Sequence, residues 1–296
     1  MNLPIIMLAG QMGVGKDTIA RILKDKFKFK LCAQADPIKK LGKRFFAFTE
    51  DELWGPSENR NKIVPLAGLE WRADQEYTQG GNIAPAQSLR AIAPNSLSGY
   101  GTILPAAEAL AVSIVELGKG GPGIGLNQAT MTCQRFYASL KAFAEEKGGL
   151  NARIVLQLLG TEVGRALDKM IWTRATLDKA NDMLDTGAPG VVVTDGRFRS
   201  EVLAARRAGA KVVLIRAPGV AARGHGGHPS ETEILTIQPQ FFDLIIENNK
   251  EAGEAVLAEY IDDAFYHLFP EATFKSYVSG EPGNLKTVYF VEKSAE

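Results

Sequence analysis

Two regions of the chain share one pattern, in which an apolar run is followed by a segment with apolar positions at helical spacing. Residues 3–9 form a continuous apolar run that ends at Gly10, and residues 17–28 place apolar side chains among lysines and arginines. This order predicts a buried strand, a glycine turn and an amphipathic helix. Later in the chain, strands are predicted over 190–194, 211–215 and 241–247, and helices over 200–209 and 251–268. The repetition predicts an α/β fold with one parallel sheet covered by helices on both faces.

The middle of the chain departs from this pattern. Residues 151–167 and 170–184 carry apolar positions at helical spacing, which predicts two helices. We expect these helices to form the side of the protein that binds the substrate, called here the helical substrate side. Between residues 65 and 149 no alternation of strands and helices is visible, and the glycines of residues 118–125 indicate a loop. We therefore treat residues 65–149 as an insertion of unknown role.

The last residues predict an added β-hairpin. Residues 273–279 and 285–291 have strand character and flank a turn-forming segment rich in glycine and proline. The chain is therefore predicted to have three parts. The core consists of residues 1–64 and 150–270, and its residues 150–185 form the helical substrate side. The other two parts are an insertion at 65–149 and a C-terminal extension at 271–296.

Composition and charge narrow the function classes. The 296 residues are 45% hydrophobic, which suits a globular protein with a sizeable core. Basic and acidic residues both number 34, so the chain has no overall basic field for a long nucleic acid. Cys32 and Cys133 are too few for a disulfide framework and are expected to be core thiols in a reducing compartment. Without a basic leader or an apolar run near the ~20 residues of a membrane span, we expect a cytoplasmic protein with no membrane partner.

The most specific motif is a glycine-rich loop between the first predicted strand and helix. Residues 10–18 match the Gly-x4-Gly-Lys spacing of a phosphate-binding loop. The glycines let backbone N–H groups face the β-phosphate of a nucleoside triphosphate, and the lysine reaches the β- and γ-oxygens. The loop residues expected to bind the nucleotide are Gly10, Gly13, Val14, Gly15, Lys16, Asp17 and Thr18.

Two carboxylates are candidates for holding magnesium. Asp17 stands where such loops usually have a serine or threonine whose hydroxyl binds the metal, so either Asp17 approaches the metal, directly or through water, or Thr18 takes part in phosphate binding. Asp195 ends a predicted strand at the same sheet edge as Gly10, where it can hold magnesium or its water. Arg197, two residues later, can face the transferring phosphates. The alternative role of Asp195 is to cap the following helix.

With its loop in the form Gly-Lys-Asp-Thr, the chain resembles the bacteriophage deoxynucleoside monophosphate kinases, which are P-loop nucleotide kinases. Further segments are similar to those of the family and occur in the same order, although Ser200 replaces an asparagine that is usual in the family. These segments are residues 35–40 with 53–60, 158–165 with 171–172, 195–201 and 228–233. The resemblance implies a P-loop kinase-like fold, ATP with Mg²⁺ as the donor and a deoxynucleoside monophosphate as the acceptor.

Residues beyond the loop receive roles from their chemistry and from this resemblance. Arg165 and Arg197 are expected to hold the acceptor phosphate or to stabilise the transferring group, and Trp172 is expected to stack on a base. The alternatives are an exposed ion pair for Arg165 and a core position for Trp172. The expected catalytic residues are Lys16, Asp17, Asp195, Arg197 and Arg165, with Asp17 and Asp195 as metal ligands. The expected substrate-binding residues are Asp36, Lys39, Arg153, Glu162, Arg165, Trp172 and Arg197.

A glycine-rich stretch contains His225 and His228, which lie close together in the sequence. No cysteine or carboxylate stands at ligand spacing there, which disfavours a zinc site. A loop that closes over the nucleotide, or a surface turn, is the favoured interpretation. Arg223 is then expected to bind the nucleotide.

Two other functions stay open. Phage P-loop kinases also include enzymes that phosphorylate a hydroxymethyl group on a pyrimidine within DNA. Such an acceptor would favour a base such as Asp36 or Asp195, and residues 65–149 could contact a strand. The third function is a nucleotide-binding switch without transfer activity. We expect small-molecule nucleotides as partners, nucleic acid only under the DNA alternative, and host cytoplasm as the location if the chain is phage-encoded. A homodimer is compatible with the sequence.

Overall fold

The computed structural model describes residues 5–78, 83–93, 99–217, 229–249, 251, 253–268, 274–279 and 286–291. The chain folds into two compact units, of which the first contains residues 1–34 and 176–296 and the second contains residues 35–175. This division differs from the predicted one, because residues 35–64 and 150–175 pack with the predicted insertion. The functional division of the chain stays a prediction.

The described residues form strands and helices with the following bounds. The strands are β1 (Ile5–Ala9), β2 (Lys30–Cys32), β3 (Val64–Pro65), β4 (Gly149–Leu150), β5 (Val191–Gly196), β6 (Lys211–Arg216), β7 (Leu244–Glu247), β8 (Phe274–Ser279) and β9 (Lys286–Val291). The first nine helices are α1 (Lys16–Phe27), α2 (Asp36–Phe46), α3 (Glu50–Trp54), α4 (Ser57–Asn61), α5 (Leu66–Thr78), α6 (Ala84–Ile92), α7 (Gly99–Leu117), α8 (Leu126–Lys147) and α9 (Ala152–Leu158). A π-helix (Leu159–Arg165) follows, then α10 (Ile171–Asp185), α11 (Arg199–Arg207), α12 (Pro229–Thr236), a 3₁₀ turn (Pro239–Phe241) and α13 (Gly253–Leu268).

The first unit is built on a five-stranded sheet in the order β2-β5-β1-β6-β7. All neighbouring strands in it are parallel. β1 lies in the centre because its residues are apolar at every position and buried on both faces. The carboxyl ends of parallel strands meet at one edge, so the loops after β1 and β5 begin side by side.

Alternate residues of the strands supply two separate cores. On one face, Met7 and Val193 pack with apolar residues of α10, α11 and α12. On the other face, Leu8 and Val192 pack with apolar residues of α1 and α13. This alternation follows from the two-residue repeat of a strand. The prediction of an α/β fold with a parallel sheet covered on both faces is confirmed.

The second unit is helical apart from the short antiparallel pair of β3 and β4. Helices α5 to α8 lie in the predicted insertion, where the sequence showed no alternation of strands and helices. Their buried positions belong to one core with α2, α9 and the π-helix. Small side chains occupy many of these positions, among them Ala106, Ala107, Ala111, Ala129 and Ala144. An alanine-rich buried face carries a weak hydrophobic signal, which explains why these helices were missed.

Two predicted elements differ in their bounds or type from those in the structure, and a third lies partly outside the described residues. The strand expected from residue 241 begins at Leu244, because Pro239–Phe241 form a 3₁₀ turn. The helix expected over 151–167 begins at its cap Asn151 but changes to a π-helix at Leu159. The hairpin of β8 and β9 is confirmed, with Ser279 opposite Lys286, while its turn lies outside the described residues.

Both cysteines are buried free thiols, as expected. Burial raises the pKa of Cys133 to about 12, so this thiol stays protonated near neutral pH. Within the described part of the chain, no helix combines the length and apolar character that crossing a bilayer requires.

Candidate functional site

The glycine-rich loop connects the central strand β1 to the first turn of α1. Gly10 has a φ of 149°, and a Cβ there would lie 2.5 Å from the Ile215 carbonyl oxygen. Gly15 has a φ of 101°, and a Cβ there would lie 2.2 Å from Asn248 Nδ2. Both positions therefore require glycine for conformation and for space. The result is a loop that turns tightly at the edge of the sheet and presents the N-terminus of α1.

Lys16 is the first residue of α1 and is 7% exposed. Its Nζ donates to the Gly10 carbonyl oxygen at 2.7 Å and to the Gln11 carbonyl oxygen at 2.5 Å. These bonds curl the lysine back over its own loop, so its ammonium group stays beside the backbone that would surround a phosphate. Asp17 is exposed next to it.

The end of β5 places Asp195 and Arg197 beside the loop. Asp195 Oδ1 accepts a hydrogen bond from the Gln34 backbone N–H at 2.7 Å, which ties the ends of β5 and β2 together. The buried carboxylate of Glu201 accepts from the backbone N–H groups of Arg197 at 2.8 Å and Phe198 at 3.0 Å. Glu201 therefore caps α11 and fixes the backbone from which the Arg197 side chain projects.

One cavity of about 410 Å³ collects these side chains in the first unit. Of the predicted residues, Gly13, Gly15, Lys16, Asp17, Thr18, Asp195 and Arg197 line it. A lysine and an arginine opposite two carboxylates suit a polyphosphate with a divalent cation. Gly10 and Val14 shape the loop behind this lining, and Val14 is 2% exposed.

Asn248 is a residue of this site that the sequence analysis missed. It follows β7, is 6% exposed and lines the same cavity. Its Nδ2 donates to the Val14 carbonyl oxygen at 2.8 Å while it packs on Gly15. A polar residue directly after an apolar strand is the same signal that identified Asp195, and it would have found Asn248 as well.

Replacing Asn248 with alanine is expected to loosen the glycine-rich loop, because a buried carbonyl loses its donor and Gly15 loses its neighbour. We expect the free energy of unfolding to fall by about 1–3 kcal/mol and the KM for the nucleoside triphosphate to rise. Urea unfolding and steady-state kinetics measure these two effects. The exposed neighbour Asn249 provides the control, and equal behaviour of Asn248→Ala and Asn249→Ala would contradict this role.

Four predicted residues lie on α9, the π-helix and α10 in the second unit. Arg153 and Glu162 are exposed, and Arg165 is half-buried at the end of the π-helix. Trp172 is 5% exposed and belongs to the core of this unit. Its Nε1 donates to the Gly160 carbonyl oxygen at 2.9 Å. This burial favours the core role that the sequence left open, and stacking on a base stays a prediction.

Asp36 and Lys39 begin α2 in the second unit and share an aromatic neighbour. The indole Nε1 of Trp54 donates to Asp36 Oδ1 at 3.3 Å. Lys39 Nζ lies 5.6 Å from the centre of the Trp54 ring, within the range of a cation–π interaction. Trp54 is 36% exposed and had no predicted role. Arg223, His225 and His228 lie outside the described residues, so their predicted roles stay predictions.

Among the described residues, no group of three or more His, Cys, Asp or Glu side chains could form a metal cage. Magnesium in kinases is held by one or two carboxylates together with phosphates and water, so the pair of Asp17 and Asp195 fits this mode. The arrangement therefore suits a metal that arrives with a nucleotide.

Residues 124–256 match the family model described as deoxynucleotide monophosphate kinase. No curated protein matches the chain. The predicted residues within the matched range are Arg153, Glu162, Arg165, Trp172, Asp195, Arg197 and Arg223. The glycine-rich loop precedes that range, so its assignment comes from its own sequence and geometry. The match confirms the resemblance that the motifs indicated.

Proposed function

We propose that the chain transfers the γ-phosphoryl group of ATP to a deoxynucleoside monophosphate. It is a nucleotide kinase whose residues 124–256 match the deoxynucleotide monophosphate kinase family. The product would be a deoxynucleoside diphosphate. The observation that carries this proposal is that Lys16, Asp17, Asp195 and Arg197 line one cavity. These residues come from two loops at the same edge of the sheet and have the charges that phosphoryl transfer requires.

The donor site is supported by the geometry of the glycine-rich loop. Gly10, Gly13 and Gly15 all have positive φ angles. Because glycine has no side chain, the space that the loop encloses stays open for a phosphate. The N-terminus of α1 adds a partial positive charge directed at the bound anion. Lys16 already lies on the loop and would exchange its carbonyl acceptors for the β- and γ-oxygens of ATP. Magnesium supplies charge neutralisation of the phosphates when it is bound with the nucleotide.

Transfer to the acceptor requires that its phosphate is held in place and that the negative charge of the transition state is stabilised. A general base is less important. A nucleotide 5′-phosphate is anionic and attacks through one of its own oxygens, so no side chain has to remove a proton from it first. Arg197 would then stabilise the charge on the group in transfer, and its backbone is held by Glu201 for this purpose. Arg165 would hold the acceptor phosphate through a forked contact.

Asp17 is predicted to contribute to the use of magnesium, because it replaces the usual hydroxyl ligand and lines the cavity. Asp17→Asn is expected to shift the magnesium dependence of turnover to higher concentration. The experiment is a magnesium titration at saturating ATP, with Asp25→Asn as the matched control on an exposed position of the same helix. An unchanged titration would assign the metal to Asp195 instead.

The proposal is tested by giving purified protein γ-labelled ATP with each of the four deoxynucleoside monophosphates in turn. Label should appear in a deoxynucleoside diphosphate. A parallel reaction contains DNA that carries hydroxymethylated pyrimidines, which is the acceptor of the alternative function. Label in the DNA and in no free nucleotide would replace the proposal with that alternative. ATP binding without transfer to either acceptor would favour the nucleotide-binding switch.

A further inference from the structure

The π-helix of residues 159–165 packs against the buried side chain of Trp172. Helices of this type are rare and form one wide turn in which backbone bonds run over five residues. The backbone N–H of Ala166 reaches the Thr161 carbonyl, five residues back. Such a turn is less favourable than an α-helical one, so contacts outside the helix must maintain it.

Trp172 supplies these contacts through two glycines. Its indole Nε1 donates to the Gly160 carbonyl oxygen at 2.9 Å. Its ring lies directly on Gly164, where a Cβ would come within 2.1 Å of the ring carbon Cζ2. Gly160 and Gly164 are both buried. The two glycines therefore form a flat surface on which the indole rests.

The opposite side of the π-helix carries polar residues. Thr161 and Glu162 are exposed and Arg165 is half-buried, whereas the remaining residues of the helix are buried. The direction of Arg165 depends on the width of the turn before it. If the segment relaxed to an α-helix, one residue fewer would fit into that turn and Arg165 would rotate by about 100° around the axis.

We propose that Trp172 is a positioning residue for phosphoryl transfer, because its indole holds residues 159–165 in the π-helix that directs Arg165. This inference rests on the proposed function, in which Arg165 holds the acceptor phosphate. It gives Trp172 a role that requires its buried N–H group. A base-stacking role would require only an aromatic face.

The test is a double-mutant cycle with Trp172→Phe and Arg165→Ala. Phenylalanine keeps an aromatic face and removes the N–H donor. We expect Trp172→Phe to lower kcat/KM for the monophosphate by on the order of 10- to 100-fold, as a small misplacement of a phosphate-binding group does. The KM for ATP should stay the same. In the Arg165→Ala background, Trp172→Phe should have no further effect, because the residue that it positions is already absent.

The outcomes of the cycle are distinct. Effects of the two substitutions that multiply would overturn the inference, since Trp172 would then act independently of Arg165. An unaltered kcat/KM in Trp172→Phe would overturn it as well. If Arg165→Ala transfers phosphate like the wild type, the inference fails because Arg165 has no role to position. The proposed function fails separately, when the wild-type protein phosphorylates no monophosphate.

A spectroscopic measurement keeps the inference testable if Trp172→Phe unfolds. The chain has three tryptophans, and Trp71 is 65% exposed while Trp172 is 5% exposed. In the wild-type protein the indole N–H of Trp172 should exchange with solvent far more slowly than that of Trp71. Equal exchange rates would contradict the bond to Gly160. Trp71→Phe is the matched control for the loss of a tryptophan from the same unit and should retain wild-type kinetics.

Discussion

Lys16→Ala is expected to lower phosphoryl transfer by on the order of 1000-fold while the protein remains folded. Lys16 is the first residue of α1, and its Nζ lies over the loop in bonds to the carbonyl oxygens of Gly10 and Gln11. Alanine leaves the helix intact because it has the highest helix propensity. It removes the only loop side chain with a positive charge, and the γ-phosphoryl group then loses a partner where charge develops.

The measurement is steady-state transfer from ATP to a deoxynucleoside monophosphate, together with a thermal melt of the same preparation. Lys24→Ala is the matched control, because Lys24 is an exposed lysine of the same helix. It should behave like the wild type. Wild-type turnover in Lys16→Ala would exclude the glycine-rich loop as the donor site.

Arg197→Ala is expected to lower transfer to the monophosphate by about 30- to 1000-fold, which corresponds to about 2–4 kcal/mol of transition-state stabilisation. Arg197 lines the same cavity as Lys16, and Glu201 holds its backbone N–H at 2.8 Å. ATP binding should survive, because the loop and Lys16 remain. Arg197→Lys should recover only part of the rate, since lysine keeps the charge but lacks the planar fork of arginine.

A matched control for this arginine lies two residues further along. Arg199 is exposed, its backbone N–H donates to Glu233 at 2.8 Å, and its guanidinium lies 5.3 Å from the centre of the Phe241 ring. Arg199→Ala should therefore leave transfer unchanged. If Arg197→Ala and Arg199→Ala reduce the rate equally, the effect belongs to the stability of α11 and the proposed role of Arg197 is wrong.

The parts of the fold that could be predicted are those in which the pattern of apolar residues in the sequence matches the pattern of burial in the structure. β1 is apolar at every position and is buried at every position, so its place in the centre of a parallel sheet could be inferred directly. Gly10 and Lys16 were recognisable because their spacing is tied to the turn between a strand and a helix. Asp195 was recognisable because a polar residue ends an apolar strand.

Helices α5 to α8 of the second unit could not be predicted in the same way. Pro105 lies inside α7, and a proline there is read as a break although the helix continues around it. Buried alanines carry little hydrophobic contrast, so the packing of α7 and α8 depends on partners far apart in the sequence. The π-helix is a further case, since it depends on Trp172 meeting Gly160 and Gly164 in the folded unit.

Several side chains of the site owe their roles to contacts in the folded protein, and the spacing of residues in a sequence motif does not reveal these contacts. Asn248 lies 234 residues from Val14 in the sequence, yet the two are joined by a buried hydrogen bond. Glu201 was visible only as part of a motif, and its bonds to the backbone at Arg197 and Phe198 became clear from the fold. Such contacts explain why the loop was predicted more completely than its support.

The central claim, that a free deoxynucleoside monophosphate accepts the γ-phosphoryl group of ATP in the cavity of Lys16 and Arg197, is tested most directly by ³¹P NMR of the reaction. Wild-type protein, ATP and magnesium are mixed with one deoxynucleoside monophosphate at a time. For at least one base, the account predicts new α- and β-phosphate signals of a deoxynucleoside diphosphate, formed in equal amount with ADP and absent with Lys16→Ala. ADP with inorganic phosphate and no deoxynucleoside diphosphate for any of the four bases would contradict it.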